Sequence, residues 1–159
     1  MKKTIAAGLI LAAVIAVGLT VRLPFFTVRT GDEVVYFSPL IGRKQVVYHY
    51  IHSVEKGPVR EYFQAFREGF LLHKTSFTSQ GAGLPLDRGE FEMKDGLFIR
   101  KDLNDRYERL QFRLSGQFEE QLIEISGQEM KMAEWGDPGE PIIMEVKSAA
   151  ELIKFFAGK

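Results

Sequence analysis

KQVVYHYIHSVEKGPVREYFQAFRE, residues 44–68, decides the fold class. β-Branched and aromatic residues crowd both flanks, and Glu55-Lys56-Gly57-Pro58 breaks them in the middle. That pattern predicts two antiparallel strands, 44–54 and 59–68, joined as a hairpin. With the turn at Glu55–Pro58, Val54 faces Val59, His52 faces Glu61, Tyr50 faces Phe63 and Tyr48 faces Ala65. Side chains alternate across a sheet, so these eight share one face. The opposite face carries Ile51 with Tyr62, Ser53 with Arg60 and His49 with Gln64. In this register His52 and Glu61 form a cross-strand pair inside an apolar row.

Further strands are expected on both sides. EVVYF (33–37) is stopped by Ser38-Pro39, and GFLLHKTSFTS (69–79) follows the hairpin so closely that it reads as a third antiparallel strand. EFEMKDGLFIRKD (90–102) carries Asp95-Gly96 between short apolar runs, a strong hairpin signal. RLQFRLS (109–115), EEQLIEIS (119–126) and EPIIMEVK (140–147) complete the set, separated by Gly116, Gly127 and GDPG (136–139). In SAAELIKFFAG (148–158) the period changes. Ser148 and Glu151 make a capping box, and Leu152, Ile153, Phe155 and Phe156 make one apolar face. The predicted fold class is mainly β: an antiparallel β-sandwich or open barrel with a short C-terminal helix, preceded by one N-terminal transmembrane helix.

Residues 1–22 are the basis for that last element. Lys2 and Lys3 precede an uncharged, mostly apolar run from Ile5 to Val21, which Arg22 closes. At about 1.5 Å per residue the run gives about 26 Å of helix, near the short end of what spans a bilayer. The basic end stays cytoplasmic, which puts residues 23–159 on the extracytoplasmic side of the cell membrane as a single-pass protein. The competing reading is a cleaved signal peptide, for which Ala16-Val17-Gly18 offers a site. The apolar run continues past that site, which favours an uncleaved anchor. Residues 22–32 read as a juxtamembrane link.

Composition removes several function classes. The 159-residue chain is 45% hydrophobic and 12% aromatic, enough for a core, and its 21 basic and 21 acidic residues cancel. Three basic residues and no acidic ones lie in 1–22, so the rest is mildly acidic and has no electrostatic reason to hold nucleic acid. The chain has no cysteine, which excludes disulfides, thiolate metal sites, a cysteine nucleophile and lipoprotein anchoring.

His52 and Glu61 are either a polar pair that fixes register or the lining of a pocket. A metal site is not expected: His49 and His52 are three apart and point to opposite sides of a strand, although His73 or a carboxylate from Glu55 or Glu61 supplies donor types. A nucleophilic set of Ser53, His52 and Glu55 or Glu61 has the same fault, since adjacent strand residues diverge. Ser79 is a second candidate nucleophile with no visible partner. No cofactor and no catalysis are therefore expected. In SQGAGLP (79–85), Gly81, Ala82 and Gly83 either turn a tight corner set by Pro85 or aim successive amides at an anion. Trp135 reads as a core or rim aromatic.

HSVEKGPVREYF (52–63) followed by GFLLHKTSFTSQGAGLP (69–85), behind an apolar N-terminus, resembles a family of small bacterial proteins known only as a domain of unknown function. The resemblance rests on His52, Ser53, Val54, Glu55, Pro58, Val59, Glu61 and Gly81 to Pro85, and covers about residues 45–86. Members are often encoded beside tripartite ATP-independent periplasmic (TRAP) transporters of the TAXI type. The resemblance implies a transport-linked accessory role rather than a reaction. Two readings follow. In the first, a membrane-anchored, non-enzymatic accessory protein contacts TRAP transporter subunits or the solute receptor through Ser53, Glu55 and Arg60, with the Gly81–Gly83 loop nearby. In the second, His52, Glu61 and the Gly-Ala-Gly amides line a pocket for an organic anion. An envelope hydrolase stands third.

Overall fold

The computed structural model describes Gly8 and residues 23–78, 88–116 and 121–157. Its strands are β1 (Pro24–Thr30), β2 (Glu33–Pro39), β3 (Lys44–Ile51), β4 (Pro58–Phe66), β5 (Gly69–Phe77), β6 (Glu90–Lys94), β7 (Leu97–Tyr107), β8 (Arg109–Arg113), β9 (Leu122–Ile125), β10 (Gln128–Lys131) and β11 (Pro141–Ser148). Helix α1 (Ala149–Ala157) closes the described chain. The strands divide between two antiparallel sheets rather than closing into one barrel. A four-stranded sheet runs β2-β1-β11-β8 and a seven-stranded sheet runs β10-β9-β3-β4-β5-β7-β6.

The two sheets share one core. Phe26, Val28, Leu110, Ile142 and Met144 from the small sheet meet Val46, Phe63, Phe70, Leu72, Leu103 and Ile123 from the large one. Phe26 ties the layers edge-on through Phe70, with ring centroids 6.1 Å apart. Trp135 packs half-buried against the same core.

Local chemistry explains the connections. Asp95 and Gly96 both take positive φ (52° and 77°), the conformation a two-residue hairpin needs between β6 and β7. Ser126 and Gly127 do the same between β9 and β10. At the entry to α1, the Ser148 amide donates to Glu151 Oε2 at 2.7 Å, and the Glu151 amide returns to Ser148 Oγ at 3.3 Å. The capping box is therefore formed.

Three sequence expectations change. Residues 24–30 are not a link: β1 is an interior strand, paired with β2 on one side and β11 on the other. Its Phe26, Thr27 and Val28 are buried consecutively, so it lacks the alternation that marks a one-sided strand. Strand β10, with the polar sequence QEMK, is new. The central hairpin also has a different register. Ile51 pairs with Pro58, Tyr50 with Val59, Tyr48 with Glu61 and Val46 with Phe63. The connection is the six-residue loop His52–Gly57, longer than the four-residue turn expected. Within it the His52 amide donates to Gly57 O at 2.9 Å, and the Lys56 amide donates to His52 O at 2.9 Å. Lys56 takes φ 55° to close it. The displacement is even, so the residues that remain in the two strands keep their expected faces, but His52, Ser53 and Val54 leave the strand and His52 and Glu61 are not a pair.

Candidate functional site

Polar groups collect where the inner face of β3 and β4 meets the β8–β9 crossing. Tyr48 and Tyr50 are two apart on β3, so both point inward, and their rings stack at 4.7 Å. Phe112 of β8 covers Tyr48 from the other sheet, with centroids 4.0 Å apart. Strand pairing puts Glu61 opposite Tyr48, and the Tyr50 hydroxyl donates to Glu61 Oε1 over 3.4 Å.

Gln121 locks this cluster to the crossing. It is only 7% exposed, and every polar function is used. Its Nε2 donates to the Tyr48 hydroxyl oxygen at 2.7 Å and to Arg113 O at 3.1 Å, while its Oε1 accepts the Ser115 amide at 2.6 Å. Beside it opens a cleft of about 280 Å³ lined by Tyr50, Ile51, His52, Ser53, Ser115 and Gln121.

Electrostatics follow from burial. Packing around Glu61 strips water from its carboxylate and pushes its pKa up to about 7, against a smaller opposing effect of the Tyr50 hydroxyl. Burial is also the main cause that holds the Tyr48 phenol up at about 12, and it raises Tyr50 further. The site is therefore a set of neutral hydroxyls, an amide and an imidazole around one carboxyl group that is half-protonated near neutrality.

The expected site residues separate. His52 and Ser53 line the cleft, not as strand residues but as the first two of the loop. The His52 Nδ1 accepts the Glu55 amide at 3.2 Å, which sets the ring's orientation. Glu55 is exposed on the loop, and Glu61 lies inward behind Tyr50. Arg60 does not join them. It pairs across the strands with His49 and shares the outer face of the large sheet with it. Burial, then the Arg60 charge, lowers the His49 pKa, and Glu124 lies 3.8 Å from its Nε2. His73 sits at an irregularity of the β5–β7 pairing beside the Tyr62 ring. Among the described residues no three His, Asp or Glu side chains are grouped to hold a metal ion. Ser79 and the Gly81, Ala82, Gly83 loop lie outside the described residues.

Gln121, Ser115 and the two tyrosines were not singled out by the sequence. A signal for Gln121 does exist: in Gln121, Ile123 and Ile125 it is the one polar member of a row that alternation points inward.

No curated protein and no solved structure matches this chain. The domain of unknown function DUF1850 matches residues 46–132, from β3 into the turn after β10. That span carries every strand of the large sheet apart from the first two residues of β3, but of the small sheet only β8. It also holds each of the cleft-lining residues. Since the match covers more than half of the sequence, the chain belongs to the DUF1850 family.

Proposed function

We propose that this protein is a non-enzymatic, membrane-anchored accessory module on the extracytoplasmic side, working with a TAXI-type TRAP transporter, and that it holds a small organic anion in the His52–Gln121 cleft. The observation that supports ligand binding best is the pairing of a preformed 280 Å³ cleft with a completed hydrogen-bond set behind it. The cleft lining supplies hydroxyl and imidazole groups of Ser53, Ser115 and His52, chemistry suited to a carboxylate, while the Tyr50 hydroxyl is turned to Glu61. The Nδ1 of His52 is committed to the Glu55 amide, which suits a fixed donor better than a proton shuttle. The anchor and the transporter context rest on residues 5–21 and on the family resemblance.

The test is the melting temperature of the full-length protein in detergent across a panel of small mono- and dicarboxylates. At least one is expected to raise it by several degrees, and His52→Ala is expected to abolish the increase. A flat response across the panel contradicts the binding reading.

A partner surface has its own support. Ser53 and Glu55 stand exposed on the same loop, above the cleft. Crosslinking of tagged protein in native membranes is expected to recover transporter subunits with the parent and to lose them with Glu55→Ala. Equal recovery with both places the contact elsewhere.

A further inference from the structure

The point where residues 1–22 join the described domain is marked by exposed apolar side chains from three separate stretches of chain. Leu23 is the first residue of the domain and is 45% exposed. Its carbonyl accepts the Ala149 amide that starts α1. The Pro24 carbonyl accepts the Leu40 amide, which brings the end of β2 to the same place, and the next residue, Ile41, is 85% exposed. Helix α1 buries Leu152 but leaves Ile153 59% and Phe156 52% exposed. At 100° per residue, Ile153 and Phe156 flank the Ala149 direction while Lys154 and Glu151 lie on the other side, so the helix has apolar surface left beyond what the core takes. Val54, Phe91 and Met93 are comparably exposed elsewhere, so what distinguishes this end is that its apolar groups gather where the chain leaves the apolar run of residues 5–21.

We infer that this end seats in the lipid interface at the foot of the anchor, with α1 lying along the membrane surface. The inference rests on reading residues 5–21 as an uncleaved anchor. The occupant follows from where that segment ends: Arg22 closes a 17-residue apolar run immediately before Leu23, so a membrane that holds the run lies against Leu23 and its neighbours. Exposed Lys154 stands beside the apolar groups, where a cationic side chain reaches headgroup phosphates while its stem stays on apolar surface; Arg43, two residues beyond Ile41, already donates to Gln64 Oε1 at 2.9 Å. The consequence is a fixed posture. Strand β1 leads from this end toward Thr30 over about 20 Å, and Thr30 pairs with Ile142, which pairs with Phe112 next to the cleft's Arg113–Ser115 crossing. The cleft therefore faces away from the bilayer.

The chain has no cysteine, so single reporters are clean. Full-length Ile153→Cys, Ile41→Cys and Met93→Cys are each labelled with an environment-sensitive fluorophore and reconstituted in vesicles with and without shallow spin-labelled phosphatidylcholine. Met93, 68% exposed near the loop end of the large sheet, is the control. Quenching at 153 and 41 is expected to exceed that at 93 at least twofold. Equal quenching at all three in carbonate-resistant vesicles overturns the inference and leaves the anchor standing. A blue-shifted but unquenched reporter at 153 also overturns it, because the cover is then protein. Extraction of the protein by alkaline carbonate removes the anchor reading and the inference with it.

Discussion

Glu61 gives the site its pH dependence. Its pKa rises from the ordinary 4.5 to about 7, so between those values the folded protein holds more proton than the unfolded chain. The contribution of this one group to stability is therefore fully present below about pH 4.5, falls as pH rises through that window and levels off above 7. Glu61→Gln is expected to flatten that contribution, by on the order of 2 kcal/mol after allowing for its partial exposure. Urea midpoints of parent and variant at pH 4.5, 6 and 8 check this; parallel slopes contradict it. Gln121 acts differently. Truncation to Ala leaves the Tyr48 hydroxyl, the Ser115 amide and the Arg113 carbonyl short of a partner, at a cost of about 2–3 kcal/mol. A lowered urea midpoint with unchanged slope is the expected result. The sequence pointed to His52, Ser53 and Glu61 as strand residues, with His52 and Glu61 paired; in the structure His52 and Ser53 lie on a loop beside the cleft and Glu61 lies opposite Tyr48. It missed the clamp, because Gln121 meets Tyr48 across 73 positions and nothing local announces that contact.

At the scale of elements, backbone space decides which substitutions the sheets accept. Gly69 opens β5 at φ 131°, and a Cβ there would sit 2.2 Å from the Tyr107 carbonyl oxygen. Gly96 also has positive φ, but a Cβ there meets nothing within 4 Å. Gly96→Ala is therefore expected to cost about 1 kcal/mol for backbone strain alone, and Gly69→Ala well above that, about 3 kcal/mol or more. Thermal unfolding of both variants checks the order; equal losses contradict it. Most elements were legible: alternating strands between Gly and Pro breaks, the Asp95-Gly96 hairpin, the Ser148–Glu151 cap. β1 was not, because it buries three consecutive residues instead of alternating and its sequence follows directly on the apolar run of residues 5–21. The central hairpin kept its faces and lost its register for a stated reason. Hydrogen bonds from the His52, Glu55 and Lys56 amides close a six-residue loop where composition suggested a four-residue turn.

For the whole molecule, the layout separates two ends. The end carrying Leu23, Ile41 and α1 points toward the N-terminal apolar run, and the opposite end carries the cleft and the exposed Ser53–Glu55 loop. In the role proposed above, this layout would present the cleft and loop away from the bilayer, toward a receptor or a transporter subunit. On the proposed anion binding, Glu61 would couple binding to pH. When ionised it opposes an anion in the cleft next to Tyr50, and when protonated it does not. A small carboxylate, itself ionised throughout, should bind roughly fivefold to tenfold more tightly at pH 6 than at pH 8. The most direct measurement is calorimetric titration of the full-length protein, at both pH values, with the carboxylate that gives the largest thermal shift. The account predicts one-site binding that is tighter at pH 6, with the pH difference removed by Glu61→Gln. The absence of binding at either pH, or equal affinity at both in the parent, would contradict it.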